Sequence, residues 1–249
     1  MNRGKKPLLQ TMGREMTITT HGFDDIPEGP NVFVANHACM RDIFAIPASL
    51  PEDCDVVISS RLAYKNSSVY TAVRRLVIEN ALHTIPLEVH GGKEYLEVGL
   101  KMAKQALLDG RSLLIFPEGA YTGSAQVTKG RTGASRILFG ASIGGVKPNL
   151  LPVGIHYEPW PTDLDAYAPQ NEQIHVTLCG PIDYTAAYRD YTASTDHKSR
   201  RRALHAPIDM AMLAIAKATD LPYIDEPIEL WPRKTMILES GEEVPVPDY

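Results

Sequence analysis

The stretch Val32-Phe33-Val34-Ala35-Asn36-His37-Ala38-Cys39-Met40-Arg41-Asp42 decides how this chain reads. Its first four residues are an unbroken apolar run, entered from the turn signal Pro27-Glu28-Gly29-Pro30. A short apolar run bounded by a turn predicts a strand buried on both faces. Directly after it stand an imidazole and, five positions on, a carboxylate. Across a tight turn, Asp42 can hold the proton on one nitrogen of His37 and leave the other free to accept one. A general base acting on a hydroxyl needs that arrangement. The competing reading makes Asp42 the cap of the next helix, with His37 packed nearby.

Further apolar runs lie at Val56-Val57-Ile58, at Leu113-Leu114-Ile115-Phe116, from Leu150 to Ile155 and from Ile174 to Leu178. Each reads as a strand. Between them, residues 94–108 carry Leu96, Leu100, Ala103 and Leu107 on one helical face and stop at Asp109-Gly110. Helices are also expected over residues 132–139 and 201–218. Strands that alternate with helices predict an α/β fold with a mostly parallel central sheet flanked by helices. In such sheets ligands bind near the carboxyl ends of strands. One domain is expected over residues 1–220. An extended tail, rich in Pro and Glu, is expected over 221–249.

Composition narrows the function classes. The 249 residues suit one large domain, and 44% hydrophobic with 22% charged residues suits a globular one. A formal net charge of -5 argues against nucleic acid as the partner. Cys39, Cys54 and Cys179 are far apart and form no C-x-x-C pair, so free thiols in a reducing compartment are expected. His83, His90, His156 and His175 lack metal-ligand spacing, and no metal is expected. The basic N-terminus has no apolar secretory core, and no run reaches the roughly 18 apolar residues of a membrane span. A cytoplasmic location is expected, with any membrane met peripherally.

Phe116-Pro117-Glu118-Gly119 is the second chemical motif, again directly after a strand. Its Pro stops the ladder, and its Gly permits a sharp turn that holds one carboxylate at the sheet edge. Two other patterns carry less. Gly140-Ala141-Ser142-Ile143-Gly144 matches a nucleophile elbow, but a predicted helix precedes it where the elbow requires a strand. Lys198-Ser199-Arg200-Arg201-Arg202 opens a helix, either as a solvated start or as a basic patch facing anionic headgroups or the phosphates of CoA. Arg3, Lys5 and Lys6 can serve the same end. Cations there oppose the helix dipole, which favours a functional reason for the run.

Asn36-His37, four residues, Asp42 and then Phe116-Pro117-Glu118-Gly119 form, in order, a pattern that resembles the glycerophospholipid (lysophosphatidic acid type) acyltransferase family. Lys129-Gly130, the small residues Thr132 to Ser135, and Leu151-Pro152-Val153-Gly154-Ile155 extend the likeness, which spans roughly Asn31 to Tyr157. The resemblance implies the family's α/β fold and transfer of a fatty acyl group from an acyl-CoA or acyl-carrier-protein thioester. The acceptor is a hydroxyl of a lysophospholipid or a related lipid or small molecule. His37 would be the base and Asp42 its orienting partner. Glu118 and Gly119 would shape the acceptor pocket, and no cofactor or metal is implied. Two departures stand out. Tyr121 occupies a place where the family commonly has Arg, and Ile85-Pro86-Leu87-Glu88-Val89-His90 lacks the Arg that usually ends that block. Those arginines ordinarily grip the acceptor's phosphate. Either Lys129, Arg131 or His90 supplies that charge here, or the acceptor is a non-phosphorylated alcohol or amine. A non-catalytic lipid-binding relative is the remaining alternative.

Overall fold

Helix α1 (Pro7–Glu15) and strand β1 (Thr17–His21) lead to the apolar run, which becomes strand β2 (Asn31–Ala35), buried at every position. The structure, a computed structural model, describes residues 6–59, 78, 80–87, 93–166, 171–228, 235–237 and 243–245. Val89 and His90, and Arg3 and Lys5, lie outside the described residues. Next come α2 (Asp42–Ser49), β3 (Cys54–Ser59), β4 (His83–Leu87), α3 (Lys93–Leu108) and β5 (Ser112–Ile115). They are followed by β6 (Val127–Thr128), α4 (Gly133–Ile143), β7 (Asn149–Glu158) and β8 (Gln173–Leu178). Helices α5 (Thr185–Ala193) and α6 (His197–Thr219) precede the short strands β9 (Tyr223–Ile224), β10 (Thr235–Ile237) and β11 (Glu243–Pro245).

Seven strands form one sheet in the order β1-β8-β7-β2-β5-β3-β4. Every neighbouring pair is parallel except β7 with β8. This is the mostly parallel α/β sheet that the alternating pattern predicts. Side chains alternate across it with period two. Phe33, Ala35, Leu114 and Phe116 pack on the α1 and α2 side. Val32, Val34, Leu113 and Ile115 pack with α3, α4 and α6 on the other. Each such Val, Leu, Ile or Phe side chain, when fully buried, contributes about 1.5–3 kcal/mol.

Two helices run beyond their predicted bounds. Apolar periodicity in α4 fades after Phe139, yet the backbone turns on to Ile143 and ends before Gly145, at φ +92°. Helix α6 starts at His197 because Asp196 caps it: its carboxylate accepts the Ser199 N–H at 2.8 Å. The basic run therefore lies inside the first turns of α6. Past Pro222 the chain does not leave the domain at once, because β9 pairs with β6 in parallel. Strands β10 and β11 form a separate antiparallel pair.

The connections place the site. Strand β2 hands over to α2 on one face of the sheet, and neighbouring β5 leads to α4 on the other. Adjacent parallel strands whose helices diverge leave a crevice at their carboxyl ends. Both sequence motifs occupy it.

Candidate active site

Parallel pairing of β2 with β5 brings together two motifs that lie some eighty residues apart, as the first bond across the crevice shows. The His37 backbone N–H donates to Glu118 Oε2 at 2.6 Å. One position earlier, Asn36 continues the ladder with its side chain: it donates to the Ile155 carbonyl at 3.0 Å and accepts the Ile155 N–H at 2.8 Å. The chain then turns sharply. His37 Nδ1 lies 2.8 Å from Asp42 Oδ2. Asp42 is fully buried and opens α2 without capping it. Its Oδ2 also accepts the N–H groups of Ala38 and Cys39 at 2.6 and 3.0 Å, and its Oδ1 accepts the Tyr157 hydroxyl at 2.5 Å. With the Cys39 thiol 3.7 Å from Oδ1, four contacts besides the ring fix one carboxylate, and that carboxylate fixes the ring.

The imidazole is sandwiched. It stacks on Phe116 with ring centroids 4.1 Å apart, and Tyr121 meets it edge-on at 5.3 Å. Its side chain keeps 12% exposure, and among the described residues Nε2 makes no hydrogen bond. A ring held by one nitrogen with the other open can accept a proton from a hydroxyl. The N–H groups of His37, Ala38, Cys39, Met40 and Gly119 all donate within the chain. An oxyanion would have to be met by other donors.

Glu118 does not face an open pocket. It is fully buried, and its second oxygen accepts the Thr128 N–H at 2.7 Å and the Thr128 hydroxyl at 2.9 Å. The carboxylate thus ties β6 to the backbone of His37. Gly119 adopts φ +82°, the left-handed turn its residue type permits. Burial raises the pKa of Glu118 from 4.5 to about 7, against the pull of its three donors. Below pH 4.5 the group is protonated in both folded and unfolded chain. As pH rises the unfolded chain releases its proton first. Glu118 therefore stabilises the fold fully only below pH 4.5, and about 3 kcal/mol is lost as pH climbs to about 7. Denaturant melts of wild type and Glu118→Gln between pH 4.5 and 8 check this. The difference in their stabilities is expected to shift by that amount; a constant difference refutes it.

The other predicted residues are placed as follows. The Tyr121 hydroxyl donates to Asp165 at 2.5 Å, at the opening above His37. Lys129 Nζ bonds Asp225 at 2.7 Å, which raises its pKa. Arg131 donates to the Ile228 carbonyl at 2.7 Å and approaches the Glu118 carbonyl at 3.4 Å. Gly130 between them permits close packing: a Cβ there would meet Ile208 Cγ2 at 2.4 Å. Both cations thus engage the segment after Pro222. Cys39 is buried, with its thiol pushed up to about 12, so it is no nucleophile. Ser142 lies in α4 and bonds the Leu138 carbonyl, which rules out the elbow. Among the described residues no group of three or more His, Cys, Asp and Glu is placed to hold a metal ion.

Three participants escape the sequence reading. Tyr157 follows Leu151, Val153 and Ile155 in inward phase along β7, and that alternation was its only signal. Arg41 is fully buried, with Nε 2.6 Å from Glu172 Oε1 and Nη1 donating to the carbonyls of Asp163 and Ala166. Thr128 gives both its N–H and its hydroxyl to Glu118.

The His37–Asp42 pair thus stands at the carboxyl end of a central strand of an α/β sheet, where such folds bind their ligands. Residues 17–156 match the Acyltransferase family model, and the chain belongs to that family. Among solved structures it is similar to the 1-acyl-sn-glycerophosphate (LPA) acyltransferase PlsC from Thermotoga maritima. The likeness covers 82% of this chain and 77% of that one, at 17% identity and a TM-score of 0.47. No curated protein matches the chain.

Proposed function

We propose that the chain transfers a fatty acyl group from a thioester, acyl-CoA or acyl-carrier protein, to the hydroxyl of a lysophospholipid or related acceptor. His37 Nε2 takes the hydroxyl proton as the oxygen attacks the thioester carbonyl. Asp42 holds Nδ1–H and stabilises the imidazolium that forms. The thiol leaves, and the imidazolium returns the proton to it. The observation that carries the reading is the 2.8 Å contact between a fully buried carboxylate and a ring whose far nitrogen is open. No helix among the described residues is long and apolar enough to cross a membrane. A lipid acceptor would be met at a membrane surface.

A second reading of the acceptor has its own support. Lys129 and Arg131 are engaged by the chain itself, and Tyr121 with Asp165 stands beside His37. Such an opening suits a neutral alcohol as well as a phosphorylated one. The experiment is thiol release from long-chain acyl-CoA and from acyl-carrier protein, with lysophosphatidic acid or a neutral monoacyl lipid as acceptor. Acceptor-dependent release is expected. No release with any pairing sinks the reading, and a strong preference for lysophosphatidic acid sinks the neutral acceptor.

A further inference from the structure

Along β7 the inward positions read Leu151, Val153, Ile155 and Tyr157, three aliphatic side chains and then a phenol. Phenylalanine would fill the same space without a polar atom. A hydroxyl enclosed in a core costs free energy unless it is bonded, so its partner is what distinguishes tyrosine from phenylalanine here. That partner is Asp42, 115 residues away in sequence and 2.5 Å away in space. Burial first, and then the Asp42 charge, hold the phenol well above its ordinary pKa of 10, so the hydroxyl keeps its proton and donates the hydrogen bond. The ring is fixed as well. The Arg41 guanidinium lies over it at 5.7 Å, and Trp160 meets it edge-on with ring centroids 6.2 Å apart.

The two oxygens of Asp42 are used differently. Oδ2 meets His37 Nδ1 and the N–H groups of Ala38 and Cys39, whereas Oδ1 takes the Tyr157 hydroxyl, with the Cys39 thiol at 3.7 Å. Apart from His37, no cation pairs with this carboxylate among the described residues. Arg41, its neighbour in sequence, turns its Nε to Glu172 at 2.6 Å. The charge of Asp42 is thus spread over neutral dipoles, which act strongly in an interior that screens them little. The Tyr157 O–H presents its positive end to the carboxylate and so opposes a positive charge on the imidazole that the same carboxylate holds. It weakens the pull of Asp42 on a proton and keeps Nε2 free to take one from a hydroxyl. The remaining ionisable groups around the pair are Glu118 behind the His37 N–H, Arg41 with Glu172, and Tyr121 with Asp165. Glu118 titrates close to neutrality, its pKa raised by burial to about 7, so its effect has to be separated from that of Tyr157.

We propose that Tyr157 is a positioning residue for the proton transfer: its hydroxyl draws charge from Asp42 Oδ1 and thereby sets the pH at which His37 becomes an open base. The effect on rate rests on the acyl-transfer reading above, while the effect on the ring is measurable without substrate. In Tyr157→Phe the carboxylate regains its full hold on the imidazolium. The midpoint of the His37 ring titration is followed by NMR of the imidazole C–H groups and assigned by the signal lost in His37→Ala. It is expected to move up by about one pH unit. The acid limb of kcat/KM against pH moves with it: below both midpoints kcat/KM falls about tenfold, and above both it recovers. Both shifts are expected to persist in a Glu118→Gln background, which removes the neighbouring titration. Site-specific Tyr157→3-fluorotyrosine keeps the ring and its packing but strengthens the donor, and is expected to move both midpoints down. It carries the test should Tyr157→Phe fail to fold. A role in packing alone predicts lower stability or kcat with midpoints that stay in place. A midpoint that stays or falls in Tyr157→Phe, stays or rises in the fluorinated variant, or shifts only while Glu118 is present, overturns the proposal. Moved NMR midpoints in a protein that transfers no acyl group would leave the role of Tyr157 standing and sink the acyl-transfer reading. Acyl transfer with unmoved midpoints would do the reverse.

Discussion

Replacing His37 with alanine is expected to lower acyl-transfer turnover by about 10²–10⁴-fold while leaving the fold intact. In the proposed reaction the ring supplies the chemistry, and the main chain around it is held by other groups. The His37 N–H bonds Glu118, and the His37 carbonyl accepts the Thr122 N–H at 2.8 Å. Neither contact involves the imidazole. Asp42 loses one of its partners but keeps Ala38, Cys39 and Tyr157. The stacked face of Phe116 gains exposure, and the ring itself was already in part solvent-accessible. A stability change within about 1 kcal/mol is therefore expected. Thiol release and a urea melt, measured on the same preparation, separate the two effects. Wild-type turnover in the variant would show that some other group takes the proton.

Much of the frame was legible because it depends on local pattern. The run at Val32 had to be a doubly buried strand, and the run at Leu113 had to be another. Two motifs at the ends of parallel strands meet only if the strands are neighbours, and that is a long-range fact. The His37–Asp42 pairing was readable because the four residues between them suffice to close a turn. Glu118 was not readable in the same way. A carboxylate at a strand end looks the same in sequence whether it faces a pocket or a backbone N–H, and here the pairing of β2 with β5 turns it inward. The engagement of Lys129 and Arg131 was hidden for a related reason. Their partners, Asp225 and the Ile228 carbonyl, come from a Pro-rich segment without hydrophobic period, and sequence pattern says nothing about where such a segment docks.

Replacing Glu172 with alanine is expected to destabilise the fold by about 3–5 kcal/mol, the largest stability effect at the site. The Arg41 side chain is 0% exposed and that of Glu172 is 2%, with 2.6 Å between Nε and Oε1. Desolvating two charges costs several kcal/mol each, and their attraction offsets this only while both are present. Alanine at 172 strands a guanidinium in the interior, supported among the described residues by the carbonyls of Asp163 and Ala166 and by the Tyr157 ring at 5.7 Å. Arg41 sits inside the turn that joins His37 to Asp42, so the disturbance reaches the proposed base. A displacement of about 1 Å there costs roughly 10² in rate. The double variant Arg41→Met/Glu172→Leu separates charge from packing. It removes both ions and fills much of the space, so it should recover at least half of the stability that the single variant loses, short of the two carbonyls left without donors. Urea melts with equal slopes measure both variants. If the double variant is no more stable than Glu172→Ala, the stranded charge is not the cause, and the pair holds the turn through shape alone.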